Sequence, residues 1–304
     1  MPGTRAVGTL LLGRVDELRR SAVGRTAARR PVREGGRVRA RSIELKSPAE
    51  ITAMRMAGRL VQRALEAARQ ACVPGATTAA VDAAAAAVIE SGGGEPLFLH
   101  YPTYVPGEGF PARTCVSVNE EVVHGIPGRR RLAEGDLATV DCGVRLGDWC
   151  ADAAITVPIG RVQVDWMHML ETANAILDEA IAMVRPGRRW SDIAARMERM
   201  AGDAGYGVVR EYVGHGIGRR LHEPPQAPGF VTPEFLRDQD FTLRPGMVVA
   251  IEPMLTLNGS KGHAETIELG DGWTVVTADG CPAVHMEHTV AVVRGGAEVL
   301  TDGR

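Results

Sequence analysis

Apolar residues recur at helical spacing in four segments of the chain. In residues 48–72 they follow one another at three- and four-residue intervals, at Ile51, Met54, Ala57, Leu60, Val61 and Leu65. Ser47 and Glu50 give the start signal of a capping box, and the pattern stops before Pro74. The other predicted helices end before proline or glycine and span 78–89, 164–184 and 191–201.

Short β-branched runs predict strands between the helices, including one over 114–118 and one over 208–213. Residues 138–156 predict a β-hairpin that turns at Leu146 and Gly147. With that loop, Asp141 lies directly opposite Asp152, and their Cβ atoms are roughly 5 Å apart. Two carboxylates at that distance repel each other, so one stays protonated unless a cation lies between them.

The order of these elements repeats along the chain. A long helix, a Pro-Gly pair, a shorter helix, a glycine stop and a strand followed by His-Gly occur at 48–125 and again at 164–216. Two such halves, related by an approximate two-fold axis, place the hairpin and both His-Gly turns around one cleft. We therefore predict a single α+β catalytic domain over 43–304, with an antiparallel sheet inside and helices outside.

Composition places the chain among ordinary globular proteins. It has 304 residues, of which 45% are hydrophobic and 24% are charged. No apolar run approaches the roughly 20 residues of a membrane span. The five cysteines form no Cys-x-x-Cys pair, which indicates reduced thiols in a cytoplasmic protein and neither a zinc ribbon nor a disulfide framework.

Charge is distributed unevenly along the chain. The formal net charge is −2, but residues 1–42 hold eleven arginines and three acidic residues, so they carry +8 and the remainder carries −10. This segment has few residues for a core and no apolar stretch typical of a secretory signal, so we predict a disordered, Arg-rich extension. Its charge also permits contact with anionic RNA such as that of the ribosome. A wrongly chosen start site is the alternative interpretation.

Two more acids stand in apolar strands. Glu252 ends the apolar run 247–251, and Glu287 lies inside the run 283–292. The polar residues in unexpected places are then Asp141, Asp152, His215, Glu252 and Glu287. Each alone has an ordinary interpretation, such as a turn aspartate or a solvated strand end. Together they form a donor set of oxygens and one imidazole that suits two divalent ions, whose charge of +4 offsets the −4 of the acids.

Several motifs, in the same order, resemble the type I methionine aminopeptidases over about residues 43–300. The matching segments are 117–127, Asp141 with Asp152, 214–218, 222–226, 251–254 and 287–289. Only thirty positions separate His222 from Glu252, whereas the type II branch carries a long insertion there. The resemblance implies the pita-bread (creatinase/aminopeptidase) fold, with pseudo-two-fold α-β halves around a curved antiparallel sheet.

The resemblance also implies an activity, namely removal of the initiator methionine from nascent proteins with a small second residue. The five residues would hold two divalent ions (Co²⁺, Mn²⁺, Fe²⁺ or Zn²⁺), with Asp152 and Glu287 bridging, and a metal-bridged hydroxide would attack the first peptide bond. Glu252 would pass the proton to the leaving amine. His222 would stabilise the oxyanion, and His124 would contact the substrate amide or amine.

The same resemblance implies an apolar slot for the methionine side chain, lined by Phe110, Cys115, Leu221 and Trp273. Three positions depart from the family pattern and bear on the shape of this slot. Leu221 replaces an aromatic residue, Gly107 stands where an aromatic is common, and His285 replaces a glutamine.

Two alternatives are left open. A Xaa-Pro aminopeptidase or prolidase uses the same five ligands, but carries a folded N-terminal domain that a 42-residue tail is too short to form. Non-catalytic pita-bread proteins bind RNA or histones after losing ligands, whereas all five are present here. We further expect a monomer that acts on the N-termini of nascent polypeptides and has neither DNA nor a membrane as a partner.

Overall fold

The structure is a computed structural model that describes residues 42–102, 109–257 and 263–303. The helices in these ranges are α1 (Pro48–Ala71), α2 (Thr78–Ser91), α3 (Val164–Met183), α4 (Trp190–Asp203) and α5 (Pro233–Asp238). The predicted extension over 1–42 lies outside the described residues except for Ser42, and so does Gly107.

The strands are short except in one hairpin. They are β1 (Glu95–Pro96), β2 (Cys115–Val118), β3 (Glu121–Val123), β4 (Leu137–Leu146), β5 (Trp149–Pro158), β6 (Gly207–Val209), β7 (Gly214–Gly216), β8 (Glu223–Ala227), β9 (Val248–Ile251), β10 (Met254–Thr256), β11 (His263–Ala264), β12 (Thr266–Glu268), β13 (Val275–Thr277), β14 (Ala283–His285), β15 (Glu287–Val293) and β16 (Gly296–Val299).

The four predicted helices are confirmed within a few residues at their ends. At the start of α1, the Ser47 hydroxyl accepts the Glu50 N–H at 3.3 Å, and the Glu50 carboxylate accepts the Ser47 N–H at 2.7 Å. This is the capping box that the sequence predicts. After α2 the chain reverses at Gly93, whose φ of +71° is accessible to glycine at little cost.

An antiparallel sheet organises the described residues. Its strands follow the order β1-β4-β5-β15-β9-β7-β8, with β2 beside β4 and β16 beside β15. Helices α1 and α2 pack on the side of β4 and β5, and α3 and α4 pack on the side of β9, β15 and β16. Two smaller sheets, β11-β6-β10-β14 and β12-β13-β3, complete the fold.

The two halves of the main sheet meet where β5 pairs with β15. In the register of this junction Glu287 faces Ala154 and His288 faces Ala153. The Thr289 hydroxyl accepts the Asp152 N–H at 3.0 Å and donates to the Asp152 carbonyl at 2.7 Å. Each half therefore supplies an acidic residue at the same junction, and a hydroxyl from one half holds the backbone of the other.

The predicted hairpin forms, but its predicted register is wrong by one position at the turn. The loop is Gly147 and Asp148, so Asp141 pairs with Ala154 and Asp152 pairs with Gly143. Gly147 takes φ +60°, as a two-residue turn with glycine at its first position requires. Asp141 and Asp152 are consequently diagonal neighbours, and they stay on one face because the pairing moves by an even number of residues.

The predicted strand over 208–213 is too long, because β6 ends at Val209. Val208 pairs with β10 on one side and with β11 on the other. Beyond Val209 the chain leaves the sheet and brings Tyr212 and Val213 to the wall of a cavity. None of the helices in the described ranges is long and apolar enough to cross a membrane.

Gly58 tests how closely α1 packs on the end of the chain. A Cβ atom at this buried helical position would overlap the carbonyl oxygen of Leu300. We expect Gly58→Ala to lower the free energy of unfolding by about 1–3 kcal/mol in urea denaturation, although alanine is the better helix former by about 1 kcal/mol. Gly202, also helical, has open space within 4 Å of the position that a Cβ atom would take. Gly202→Ala is the matched control and should be neutral or stabilising, and equal effects at both positions would contradict the packing argument.

Candidate active site

A cavity of about 200 Å³ lies at the junction of the two halves. All eleven site residues predicted from the sequence line it: Phe110, Cys115, His124, Asp141, Asp152, His215, Leu221, His222, Glu252, Trp273 and Glu287. Six further residues complete the lining: Phe98, Tyr101, Val123, Tyr212, Val213 and His285. The cavity has an acidic end and an apolar end.

Four elements bring the acidic residues together. Asp141 and Asp152 stand on β4 and β5, Glu252 follows the last residue of β9, and Glu287 opens β15. Because β5, β15 and β9 are neighbours in the sheet, residues distant in the sequence converge at one point. Donor atoms of Asp152, His215 and Glu287 all lie within 4.8 Å of one another.

His215 presents one particular nitrogen to the acids. Its Nδ1 lies 3.0 Å from the carbonyl oxygen of Gly216, which can only accept, so Nδ1 carries the proton. The lone pair of Nε2 then faces the acidic cluster, 3.7 Å from Glu252 Oε1. A histidine whose second nitrogen is held in this way is the usual arrangement of a metal ligand.

Burial shifts the pKa of every carboxyl group in the cluster upwards. It raises the pKa of Asp152 to about 7, and burial together with the charge of Asp152 raises that of Glu252 to about 8. For Asp141 and Glu287, burial and then the charge of Asp152 raise the pKa well above its ordinary value. No lysine or arginine is among the residues that line this cavity. The protein groups described here therefore leave the negative charge uncompensated.

Buried atoms of the cluster also lack hydrogen-bond partners among the described residues. These atoms are Asp141 Oδ1, Asp152 Oδ1, Glu287 Oε1 and both ring nitrogens of His285. Buried polar atoms are nearly always paired, and an unpaired carboxylate oxygen is costly. A divalent cation would satisfy the charge and the open lone pairs together, and the oxygen and imidazole donors suit one. The residues present thus fit a divalent metal site.

The histidines around the cluster are neutral. Burial lowers the pKa of His215 and His285 to about 3, and that of His124 to about 4. His124 follows directly after β3 with φ +58°, a left-handed conformation that is uncommon outside glycine. Its ring lies edge-on to Tyr212 and Trp273, with ring centroids 5.2 and 6.4 Å away.

His222 is held from two sides. The Tyr101 hydroxyl lies 2.7 Å from His222 Nδ1, and the His215 ring lies edge-on, with centroids 4.2 Å apart. The next residue, Glu223, forms a buried ion pair with Lys46 at 2.7 Å. Although burial opposes it, the hydrogen bond and charge of Lys46 keep the pKa of Glu223 below its usual value. This ion pair anchors the segment that carries His222.

The apolar end of the cavity belongs to a hydrophobic core cluster that includes Phe98, Phe110, Cys115 and Leu221, with Trp273 packed against it. Phe110 and Trp273 meet edge to face, with centroids 5.2 Å apart. Cys115 pairs with Asp141 across β2 and β4, which places the apolar wall beside the acids. Burial, followed by the charge of Asp141, raises the pKa of the Cys115 thiol well above its usual range, so it stays protonated.

Several residues that shape the cavity were not predicted from the sequence. Tyr101 supplies an aromatic ring to the wall of the cavity that Leu221 also lines. Gly143, opposite Asp152, leaves room for Phe98, whose ring would lie 2.9 Å from a Cβ atom at this position. A glycine inside a strand marks such a close approach and was an available signal.

Lys46, which supports the site through Glu223, had no such signal in the sequence, because only tertiary structure brings it to Glu223.

Comparison with known proteins agrees with this geometry. The profile of metallopeptidase family M24 matches residues 52–294. Methionine aminopeptidase 1 of Bacillus subtilis is 40% identical over 256 residues, which cover 84% of this chain and 98% of that protein. The crystal structure of methionine aminopeptidase from Thermotoga maritima superposes with a TM-score of 0.78 at 37% identity, covering 86% of this chain and 99% of the other.

A more distant structure bears on the alternative. The prolidase from Pyrococcus horikoshii superposes with a TM-score of 0.66 but is 21% identical, and this chain covers 64% of it. That likeness shows a shared fold alone. The predicted pita-bread fold is confirmed by these superpositions, and the Xaa-Pro alternative is not favoured.

The raised carboxyl pKa values predict how stability depends on pH without metal. Folding raises these values from an ordinary 3.8 or 4.5, so the folded state binds more protons than the unfolded chain. Stability is then lost as the pH rises through about 7 and 8. The histidines, whose pKa values are lowered, oppose this loss because the unfolded imidazoles still hold protons near pH 6.5. Their effect fades above about pH 7 and is smaller than that of the four carboxyl groups.

We therefore expect the chelator-treated protein to lose on the order of 1 kcal/mol or more between about pH 6.5 and 8, seen as a falling Tm in calorimetry. The same titration with saturating Mn²⁺ is the control. There the loss should shrink or reverse, because a bound cation favours the ionised carboxylates. A Tm that rises between about pH 6.5 and 8 without metal would contradict the conclusion that folding raises the pKa values of these carboxyl groups.

Proposed function

The chain belongs to metallopeptidase family M24, as a type I methionine aminopeptidase, and from this membership we propose that it removes the initiator methionine from polypeptides whose second residue is small. One observation supports the proposal above the others. Two buried and two half-buried carboxylates, with no counter-cation among the described residues of the cavity lining, stand next to a narrow apolar slot, as cleavage beside a methionine side chain requires.

The proposed metal ligands are the residues of the acidic end: Asp141, Asp152, His215, Glu252 and Glu287. They would hold two divalent ions of the Co²⁺, Mn²⁺, Fe²⁺ or Zn²⁺ type. Ions bound there supply Lewis acidity and make a water ligand more acidic at neutral pH. The unpaired oxygens of Asp141, Asp152 and Glu287 support this assignment.

The chain's own groups would then orient the peptide and move protons. Glu252, at the edge of the cluster, accepts a proton from the attacking water and delivers it to the leaving amine. His222 donates a hydrogen bond to the carbonyl oxygen as negative charge develops on it. For that, its Nε2 must carry the proton, and a Tyr101 hydroxyl that donates to Nδ1 selects this tautomer. His124 contacts the amide or amine next to the scissile bond.

The apolar end would receive the first side chain. Phe110, Cys115, Leu221 and Trp273 leave a slot that suits an unbranched thioether, whose flexible chain fits a narrow apolar space. Among the described residues, this end of the cavity presents neither a cation nor a carboxylate, so a charged first side chain would lose its hydration without compensation.

Metal-dependent hydrolysis of two peptides tests the proposal. We expect the chelator-treated protein, resupplied with Co²⁺ or Mn²⁺, to release methionine from Met-Ala-Ser and to leave Ala-Pro-Ala uncut. Asp141→Asn and His215→Ala should each lower kcat/KM by roughly 10²–10⁴-fold or more and reduce the bound metal, measured by mass spectrometry, while the fold persists.

The control variant is His168→Ala, because His168 lies on α3 and bonds Tyr206 away from the cavity. It should retain full turnover and full metal content. Unchanged turnover in Asp141→Asn, or cleavage of the proline peptide alone, would overturn the proposed function.

The Tyr101 hydroxyl gives a finer test of the role of His222. Tyr101→Phe removes one hydrogen bond of about 1 kcal/mol and leaves the aromatic ring, so we expect kcat to fall roughly fivefold with KM nearly unchanged. Steady-state kinetics on Met-Ala-Ser measures both constants. In a His222→Ala background the same change should have no further effect on kcat, and a full additional loss there would contradict the coupling.

We also propose that the protein works as a cytoplasmic monomer and that the Arg-rich segment contacts ribosomal RNA. This segment lies outside the described residues, and its charge of +8 is the supporting observation. Co-sedimentation with ribosomes should weaken as salt increases, and it should be lost when the eleven arginines are replaced by glutamine. The unmodified protein and the arginine-to-glutamine variant should turn over free Met-Ala-Ser at equal rates. Ribosome binding that changes neither with salt nor with removal of the arginines would refute the proposed RNA contact.

A further inference from the structure

His285 is a buried histidine at the acidic end of the cavity to which no role has been given so far. It is the last residue of β14, where it pairs with Met254 of β10, and it precedes Glu287 by two positions. Its side chain is 3% exposed, and neither Nδ1 nor Nε2 has a hydrogen-bond partner among the described residues. An imidazole buried with both nitrogens unpaired is costly, so a partner outside the polypeptide is expected.

Three other histidines near the site each have their Nδ1 atom held by a protein group. His215 Nδ1 bonds the Gly216 carbonyl, His222 Nδ1 meets Tyr101, and His288 Nδ1 lies 2.9 Å from the Thr301 hydroxyl. His285 is therefore distinguished among these histidines by its open nitrogens. The imidazole at this position gives the site a nitrogen with a lone pair, which an amide side chain lacks.

Its Nε2 atom faces two proposed metal ligands. It lies 3.7 Å from Glu252 Oε2 and 3.9 Å from Glu287 Oε2. These separations are too long for hydrogen bonds. Donors that bind one ion at about 2.1 Å each lie at most roughly 4.2 Å apart, so each separation by itself is short enough for two ligands of one ion. The Glu252 carboxylate is thus flanked by two imidazoles, with His215 Nε2 3.7 Å from its other oxygen.

From these positions we propose that His285 is a sixth protein ligand of the metal centre and binds, through Nε2, the ion held by Glu252 and Glu287. The inference rests on the metal centre of the proposed function and deepens it. With His215 and His285 the centre contains two imidazoles beside its four carboxylates. Imidazole suits Zn²⁺ and Co²⁺, whereas carboxylate suits Mn²⁺, so His285 shifts the preference of the site toward the former ions.

X-ray absorption spectroscopy of the cobalt-loaded full chain counts the imidazole ligands directly and needs no active enzyme. We expect two imidazoles per chain in the unmodified protein and one in His285→Gln. His168→Gln, the matched control, should retain two. One imidazole per chain in the unmodified protein would overturn the inference even if no variant folds, because that measurement uses the native sequence.

Calorimetric titration of the chelator-treated proteins supplies the second measurement. In His285→Gln we expect the Kd for Co²⁺ and the Kd for Zn²⁺ to rise at least about tenfold. The Kd for Mn²⁺ should change much less, so the preference of the site for Co²⁺ and Zn²⁺ over Mn²⁺ should fall. Equal changes for all three ions, or none, would overturn the inference while leaving the proposed function intact. An unmodified protein that binds no divalent ion at all would overturn both.

Discussion

The convergence of four buried or half-buried carboxylates at one junction is the constraint on which this structure depends. Asp141, Asp152, Glu252 and Glu287 are brought together by strands of both halves, and the cavity that they line contains no lysine or arginine among its described residues. Without a cation, the folded state must hold protons on these groups at neutral pH, which their raised pKa values express. Metal binding and folding are therefore coupled, because an ion stabilises the charge distribution that the fold imposes.

The architecture places that charge where chemistry can use it. The β5–β15 junction joins the halves, and Thr289 fixes the backbone of Asp152 across it. Main-chain geometry thus sets the spacing of the acids, since strands in a sheet hold their side chains more rigidly than loops. The helices lie on the outer side of each half and bury the apolar faces that hold the strands in place.

Burial also determines the charge of the groups around the acids. The histidines that face them are neutral, because burial disfavours the imidazolium form. The Cys115 thiol is protonated for the same reason and forms part of an apolar wall. Charge in the cavity is thus confined to one end, while the other end accepts an uncharged side chain. The ion pair of Lys46 and Glu223 stands apart from the cavity lining and has a supporting role.

The sequence by itself determined four of the five helices in the described ranges, the α+β class and the candidate ligands, because periodicity, capping residues and acids in apolar strands are local signals. It placed Asp141 and Asp152 on one face of a hairpin. Only the tertiary structure decided their diagonal pairing, since the local pattern allows a turn at either Leu146 or Gly147 and the backbone conformation of Gly147 selects the second. The contacts of Tyr101 with His222, of Lys46 with Glu223 and of His285 with two glutamates join residues far apart in the chain or on different strands. Such contacts leave no local pattern, because they arise from how the two halves pack.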